Sequence, residues 1–115
     1  MVSAEHDAGW VAHYMHRVDQ LYDRHRHWLG TDVEIRHAPG EYVATNACYT
    51  FQKDPVAVET RQRVGVTQLM WASDYPHSDS TWPHSRKVIE RDFVGTPDDE
   101  VGLLVGGNAA SLYEL

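Results

Sequence analysis

The amino-acid sequence predicts an α/β fold with parallel strands, and two observations support this class. Short apolar runs typical of buried strands alternate with amphipathic or capped segments typical of helices. The order is strand, helix, strand, helix, strand, helix, helix, which indicates parallel strands joined by right-handed crossovers. A chain of 115 residues can form one hydrophobic core. We therefore expect one domain over residues 1–115, with helices packed on one face of a three-stranded sheet.

The first predicted unit is a short strand near residues 2–5 followed by a long helix. After Gly9, apolar and aromatic residues recur every three or four positions, with polar residues between them. This spacing predicts an amphipathic helix of about five turns that ends near Gly30. The apolar series is Trp10, Val11, Tyr14, Val18, Leu21, Tyr22 and His25.

The second predicted unit begins after a loop marked by Pro39 and Gly40 and a short helical turn over residues 41–46. The apolar run "ACYTF" predicts a buried strand over residues 47–51. Asp54 followed by Pro55 indicates a helix start, because an N-cap acceptor precedes a residue that needs no donor. We expect this helix to continue to Gly65.

The third predicted unit consists of a strand over residues 68–73, within "VTQLMWAS", and a helix over "SRKVIERDF". A further helix start is predicted at Thr96, as N-cap, with Pro97 at the first helical position. Gly106 and Gly107 are expected to break that helix before a last helix over "NAASLYEL".

Charge and composition exclude several classes of partner. The net charge is −7, with 10 basic and 17 acidic residues, which argues against a surface that binds nucleic-acid phosphates. No apolar run approaches the roughly 20 residues of a membrane span, and no secretory signal follows Met1. Cys48 is the only cysteine, which fits a reducing compartment. We expect a cytoplasmic protein that binds a small molecule, with neither nucleic acid nor membrane as partner.

The predicted strands end in polar clusters that each contain an acid. In parallel α/β folds the functional residues lie just past the carboxyl ends of the strands. Those ends read Glu5-His6-Asp7, Gln52-Lys53-Asp54 and Asp74-Tyr75-Pro76-His77. The sequence therefore predicts that any chemistry is located there. Asp54 is also explained by helix capping, and Asp74 by an Asx-type turn.

One long block makes the chain recognisable. "LMWASDYPHSDSTWPHSRKVIERDF", together with "NAASLY", resembles the C-terminal part of the amidohydrolase-related metal-dependent hydrolases. The resemblance is to the branch of the amidohydrolase superfamily that includes the aminocarboxymuconate semialdehyde decarboxylase-like enzymes. "SAEHDAGWVAHYMHRVDQLYDRHRHW" and "YTFQKDPVAV" are similar to the two preceding strand-helix units. The resemblance covers residues 2–115.

This resemblance implies a fold, a reaction and a metal. The fold is a (β/α)8 TIM barrel, of which this chain would form the last three strand-helix units and the C-terminal helices. The reaction is hydrolysis or non-oxidative decarboxylation of a small organic substrate at a divalent metal, with zinc expected. Asp74 matches the family's metal ligand and proton-transfer residue. Glu5 and His6 are candidate catalytic residues, since one of them matches a histidine of related decarboxylases; the alternative is an exposed chain start. His77 is a candidate to contact substrate or to orient Asp74, with a loop histidine bonded to backbone as the alternative.

The chain also departs from the family pattern. The family's His-x-His pair has only one counterpart in form, His25-Arg26-His27, which is predicted to lie in the long helix. Helical residues two apart diverge by about 200° and cannot share one ion. We therefore expect an incomplete metal site in a truncated chain, or a non-catalytic fragment. Its open sheet edges predict self-association.

Overall fold

The computed structural model describes residues 1–28, 30 and 35–115. The strands are β1 (Val2–Ser3), β2 (Cys48–Phe51) and β3 (Leu69–Trp71). The helices are α1 (Val11–His25), α2 (Pro39–Asn46), α3 (Pro55–Glu59), α4 (Arg61–Val64), α5 (Ser85–Asp92), α6 (Asp98–Gly102) and α7 (Asn108–Tyr113). Short 3₁₀ turns follow α1 at Arg26–Trp28 and precede β3 at Val66–Gln68, and a π-helical segment, Leu103–Gly107, joins α6 to α7.

The three strands form one parallel sheet in the order β1-β2-β3, as predicted. Val2 is paired with Cys48 in the first ladder, and Tyr49 is paired with Leu69 in the second. Since the strands are parallel and adjacent in chain order, their carboxyl ends meet at one edge of the sheet. The strands are shorter than predicted, because residues beyond Ser3 and Trp71 leave the ladder and enter the loops.

The hydrophobic core lies between the sheet and the helices. In β2 the buried side chains of Tyr49 and Phe51 alternate with the half-buried Cys48 and Thr50, so one face of the sheet is covered. The Phe51 ring is stacked on Phe93, with centroids 6.2 Å apart. The core cluster is Ala8, Val11, Ala12, Ala47, Tyr49, Phe51, Ala57, Val58, Val64, Leu69, Phe93 and Leu104. Every predicted unit contributes to this single core.

Helix boundaries differ from the predicted ones at three places before β3, one of which is α2: it begins at Pro39, in the predicted loop, rather than at residue 41. Helix α1 ends at His25, and His27 lies in the following 3₁₀ turn rather than in the helix. Residues two apart diverge there too, at about 120° per residue, so this pair still cannot share an ion. The helix predicted over residues 54–65 is divided at Thr60, whose backbone (φ −94°, ψ 4°) leaves helical geometry.

The C-terminal helices also differ from the prediction. Pro97 has an extended backbone (ψ 142°) and is the N-cap, so α6 begins one residue later than expected. Gly106 and Gly107 do not break the helix: they lie in the π-helical segment, and Gly107 has right-handed helical angles. A Cβ on Gly107 would lie 3.3 Å from the carbonyl oxygen of Gly102, so glycine permits this close turn.

Asn108 fastens the last helix to the sheet. Its side chain is 6% exposed, and its Nδ2 donates to the carbonyl oxygens of Val66, at 2.7 Å, and Leu69, at 2.8 Å. These acceptors flank the start of β3. Among the described residues, no helix has both the length and the apolar character that crossing a membrane requires.

Candidate metal and active site

A cleft of about 260 Å³ opens at the carboxyl ends of the strands. Its lining comes from all three strand-end loops, which the parallel sheet brings to one edge. The lining residues are Glu5, Asp7, Thr50, Phe51, Gln52, Ala72, Asp74 and Asp79. Four of them are acids, so the cleft suits a cation better than an anion.

Asp74 presents a carboxylate that the local backbone does not use. Its φ of 58° is in the left-handed region, which costs a non-glycine residue about 1–3 kcal/mol and is concentrated at functional sites. The amide of His77 donates to the Asp74 carbonyl oxygen at 2.9 Å and closes the turn. An Asx turn would need an amide N–H at position 76, which is a proline. The structure therefore shows no Asx turn at Asp74.

His77 lies within hydrogen-bonding distance of Asp74. Its Nδ1 lies 3.0 Å from Oδ1 of Asp74, and the Asp74 side chain is 20% exposed, against 60% for His77. The sequence left open a substrate contact, an orienting role and a backbone hydrogen bond for this imidazole. The observed partner of the ring is the carboxylate, so the structure supports the orienting role.

Glu5 lies close to Asp74 and His77, and the three side chains form a group of potential metal ligands. Glu5, Asp74 and His77 each offer one potential ligand atom, and these three atoms lie within 4.8 Å of one another. Two carboxylate oxygens and an imidazole nitrogen are a donor set that zinc accepts, with ligand distances of about 2.0–2.2 Å. Catalytic zinc sites typically have three protein ligands and an open position. The residues present therefore fit a divalent ion.

His6, the other candidate at the first strand end, is not part of this group. Its Nδ1 is hydrogen-bonded to the carbonyl oxygen of Ala4, two residues away. The imidazole is thus held against its own loop, whereas the preceding Glu5 side chain takes the place in the cleft. Of the two candidates, the structure brings only Glu5 to Asp74.

The loop that carries Glu5 is fastened to the end of β2. The Glu5 amide donates to Oγ1 of Thr50 at 3.1 Å, and the Gln52 amide donates to Oδ1 of Asp7 at 3.1 Å. Asp54 caps α3 as predicted, through its Oδ1 and the Ala57 amide at 3.0 Å. Its second oxygen contacts the Glu5 loop. This loop therefore cannot shift without breaking bonds to β2.

The positively charged side chain of Lys53 lies beside the cleft. Nζ of Lys53 is 2.6 Å from Oδ1 of Asp79 and 2.9 Å from the Asp79 carbonyl oxygen, so it joins the loops after β2 and β3. The side chains are 38% and 78% exposed, and an ion pair this open adds little stability. What the ion pair does is hold the Lys53 ammonium at the rim of the acidic cleft.

Four polar residues of the cleft were not named as candidate site residues from the sequence. Asp7, Thr50, Gln52 and Asp79 line the cleft. The signal that could have found Asp7 and Gln52 was already available, because both lie in the strand-end clusters. His84 occupies the N-cap of α5 without a side-chain cap bond. His13 and His16 lie in α1, outside the ligand group formed by the described residues.

Comparison with known proteins identifies the family. A profile described as amidohydrolase matches residues 8–115, which is most of the chain. The chain belongs to the amidohydrolase family. No curated protein matches this amidohydrolase at a significant level.

Comparison with solved structures confirms the fold. The amidohydrolase resembles the crystal structure of 5-carboxyvanillate decarboxylase LigW from Sphingomonas paucimobilis, with a TM-score of 0.75 and 22% sequence identity. The match covers 92% of this chain and 31% of that enzyme, so the chain spans about a third of the length of its structural neighbour. The three-stranded parallel sheet thus corresponds to part of a TIM barrel, as predicted.

The cleft lies at the end of the sheet where TIM barrels have their active sites. Active sites of TIM barrels lie at the carboxyl ends of the strands, in the loops that lead to the helices. Glu5, Asp74 and His77 all lie at that end. Amidohydrolases generally use a divalent metal, and this group is the set of ligand atoms that the described residues bring together.

Proposed function

We propose that this amidohydrolase chain carries the C-terminal part of a metal-dependent active site for a small organic substrate. The reaction is hydrolysis or non-oxidative decarboxylation. The observation that carries the proposal is the carboxylate of Asp74. It lies just past the end of the last strand in a strained backbone conformation, accepts no hydrogen bond from the backbone of its own turn, and is oriented by His77 beside Glu5.

Each residue of the group has a distinct role in this proposal. Asp74 binds the ion and exchanges a proton with the reacting group, because it is the less exposed of the two carboxylates in the group and has an orienting partner. His77 fixes the direction of that carboxylate, and Glu5 contributes a second anionic oxygen. A divalent ion, zinc in our proposal, supplies Lewis acidity that makes water acidic and polarises a substrate oxygen.

One observation favours decarboxylation over hydrolysis, and another opposes it. The structural neighbour is named a decarboxylase of 5-carboxyvanillate, which favours loss of carbon dioxide from an aromatic acid. The acidic lining of the described cleft opposes this reading, because a carboxylate substrate would enter among four acids. The bound cation and Lys53 would have to offset that charge. Both reactions therefore remain within the proposal.

A non-catalytic fragment is the alternative, and one observation favours it for the chain alone. His77 is 60% exposed and Glu5 is also exposed, so water competes for the ion on an open surface. We therefore expect weak, non-stoichiometric metal binding and no measurable turnover by residues 1–115 alone. A cytoplasmic location is part of the same proposal.

Metal titration tests the role of Asp74. Calorimetry or Mn²⁺ relaxation on the purified chain should give weak binding, with a dissociation constant of roughly 0.1–1 mM, because the ligands of this open site replace little of the ion's hydration. Asp74→Asn should weaken it by about tenfold or more, since it removes an anionic ligand. Asp79→Asn is the matched control: this acid lines the same cleft outside the group, and its loss should change affinity less than about twofold.

Activity provides the second test. When residues 1–115 are joined to the remaining units of an amidohydrolase barrel, Asp74→Asn should abolish turnover, because it removes a ligand and a proton acceptor together. Two results would overturn the proposal. One is equal metal affinity in the Asp74→Asn and parent chains; the other is a complete barrel indifferent to that substitution.

A further inference from the structure

The backbone that presents Glu5 is held in an unfavourable conformation. Glu5 has a φ of 63° and Asp7 a φ of 51°, both in the left-handed region that residues with a Cβ rarely adopt. Such angles persist only where surrounding contacts impose them. The contacts around this loop therefore decide where the Glu5 carboxylate lies.

Asp54 makes the densest set of those contacts. Its Oδ2 accepts from the amides of Ala8, at 2.8 Å, and Gly9, at 2.6 Å, while Oδ1 accepts from Ala57. The Asp54 side chain is buried, so these bonds are shielded from water. Two consecutive strand-helix units are thus joined through one carboxylate.

The loop packs closely against this carboxylate at Gly9. A Cβ on Gly9 would lie 2.7 Å from Oδ1 of Asp54 and 2.9 Å from Cβ of Val56, so only glycine permits this approach. Closer to Glu5, the Thr50 hydroxyl accepts from the Glu5 amide, and the carboxylate of Asp7, within the loop, accepts from the Gln52 amide. Asp54 completes a set of bonds that extends from residue 5 to residue 9.

We propose that Asp54 is a positioning residue for the metal group: through the amides of Ala8 and Gly9 it holds the loop in the conformation that places Glu5 beside Asp74 and His77. This inference rests on the proposed function, because it takes that group to bind a cation. The hydrogen-bond partners of the Asp54 side chain are Ala8, Gly9 and Ala57, none of which belongs to the group. Helix capping alone explains Oδ1 and the Ala57 amide, but it does not explain the two bonds that Oδ2 receives from a different unit.

A double-mutant cycle separates positioning from simple stabilisation. Asp54→Asn leaves one acceptor oxygen in place of two, so either the cap on α3 or the two loop bonds must be lost. With Mn²⁺ as probe, Glu5→Gln should weaken binding about tenfold in the parent chain. In the Asp54→Asn background, Glu5→Gln should cost less than about twofold, because Glu5 has already left the group.

Proteolysis gives a readout that needs no metal. A glutamate-specific protease should cleave after Glu5 about tenfold faster in Asp54→Asn, because the released loop opens locally. Arg61→Ala is the matched control: it breaks a half-buried ion pair with Glu100, 2.6 Å long, and destabilises the chain away from the loop. Cleavage after Glu5 and Mn²⁺ affinity should both stay near the parent values in that variant.

The outcomes are decisive and distinguishable. Additive effects of Asp54→Asn and Glu5→Gln, including the case in which neither alters Mn²⁺ binding, would overturn the positioning role. An unchanged rate of cleavage after Glu5 would do so as well. The proposed function fails on a different result, namely unchanged metal affinity in Asp74→Asn. Non-additive binding together with faster cleavage would support the inference.

Discussion

Removing the Asn108 side-chain amide should destabilise the chain strongly, although Asn108 is outside the cleft. Asn108→Leu keeps a similar volume but loses two hydrogen bonds, to Val66 and Leu69. Each bond contributes about 0.5–1.5 kcal/mol net, and the buried Leu69 carbonyl would keep no donor from residue 108. We therefore expect the free energy of unfolding to fall by about 2–3 kcal/mol. For a chain of this size the melting temperature should fall by about 10 °C.

Urea unfolding followed by circular dichroism, at one fixed protein concentration, measures this loss. Asn108→Asp should cost more than Asn108→Leu, because it places carboxylate oxygens against two carbonyl oxygens. Asn46→Leu, at an exposed position at the end of α2, is the control and should change stability by less than about 0.5 kcal/mol. A loss below about 0.5 kcal/mol in Asn108→Leu would refute the reasoning, since the two bonds would then contribute nothing measurable.

Three further predictions concern packing, ionisation and assembly. Gly40→Ala should lower the free energy of unfolding by about 1–2 kcal/mol, because its Cβ would lie 2.7 Å from Oδ2 of Asp19. Gly102→Ala is the control and should not lower it, because the added Cβ meets open space. Thermal melts of the two variants compare these effects. The pKa of Tyr49 is raised mainly by burial, with smaller contributions from Cys48 and Tyr14. The stability that its neutral phenol provides is therefore present below about pH 10 and is lost as pH rises through the folded-state pKa. Tyr49→Phe should reduce that alkaline loss in unfolding measured against pH, and an identical alkaline slope would contradict it. Because β1 and β3 each pair only with β2 among the described residues, the isolated chain should be poorly soluble or oligomeric in sedimentation velocity, whereas a monodisperse, cooperatively melting monomer would argue against this.

Local signals explain why much of the fold could be predicted from the sequence. The apolar run "ACYTF", the Asp54-Pro55 helix start and the apolar run before Asp74 are signals that each act over a few residues. Their order along the chain then implies parallel strands, and so the edge at which the acids meet. The prominence of Asp74 followed from that geometry and from the family resemblance. The parallel order and the capping role of Asp54 were confirmed.

The remaining features depend on contacts between distant residues. Nothing near Glu5 in the sequence indicates that its loop bonds to Thr50 and Asp54, about 45 residues away. The choice of Glu5 over His6 is therefore a tertiary result. The π-helical segment was missed for a similar reason: two glycines usually end a helix, but here the packing of Leu104 in the core keeps the chain helical.

The register of the sheet has a consequence for the order in which the chain folds. Tyr49 and Leu69 are 20 residues apart, whereas Val2 and Cys48 are 46 apart. Closing the longer loop costs about 0.7 kcal/mol more, from (3/2)RT multiplied by the logarithm of 46/20. The β2–β3 ladder is thus entropically the easier one to form. We expect it to appear first in pulse-labelled hydrogen exchange, and β1, with the loop that carries Glu5, to join last and open most readily.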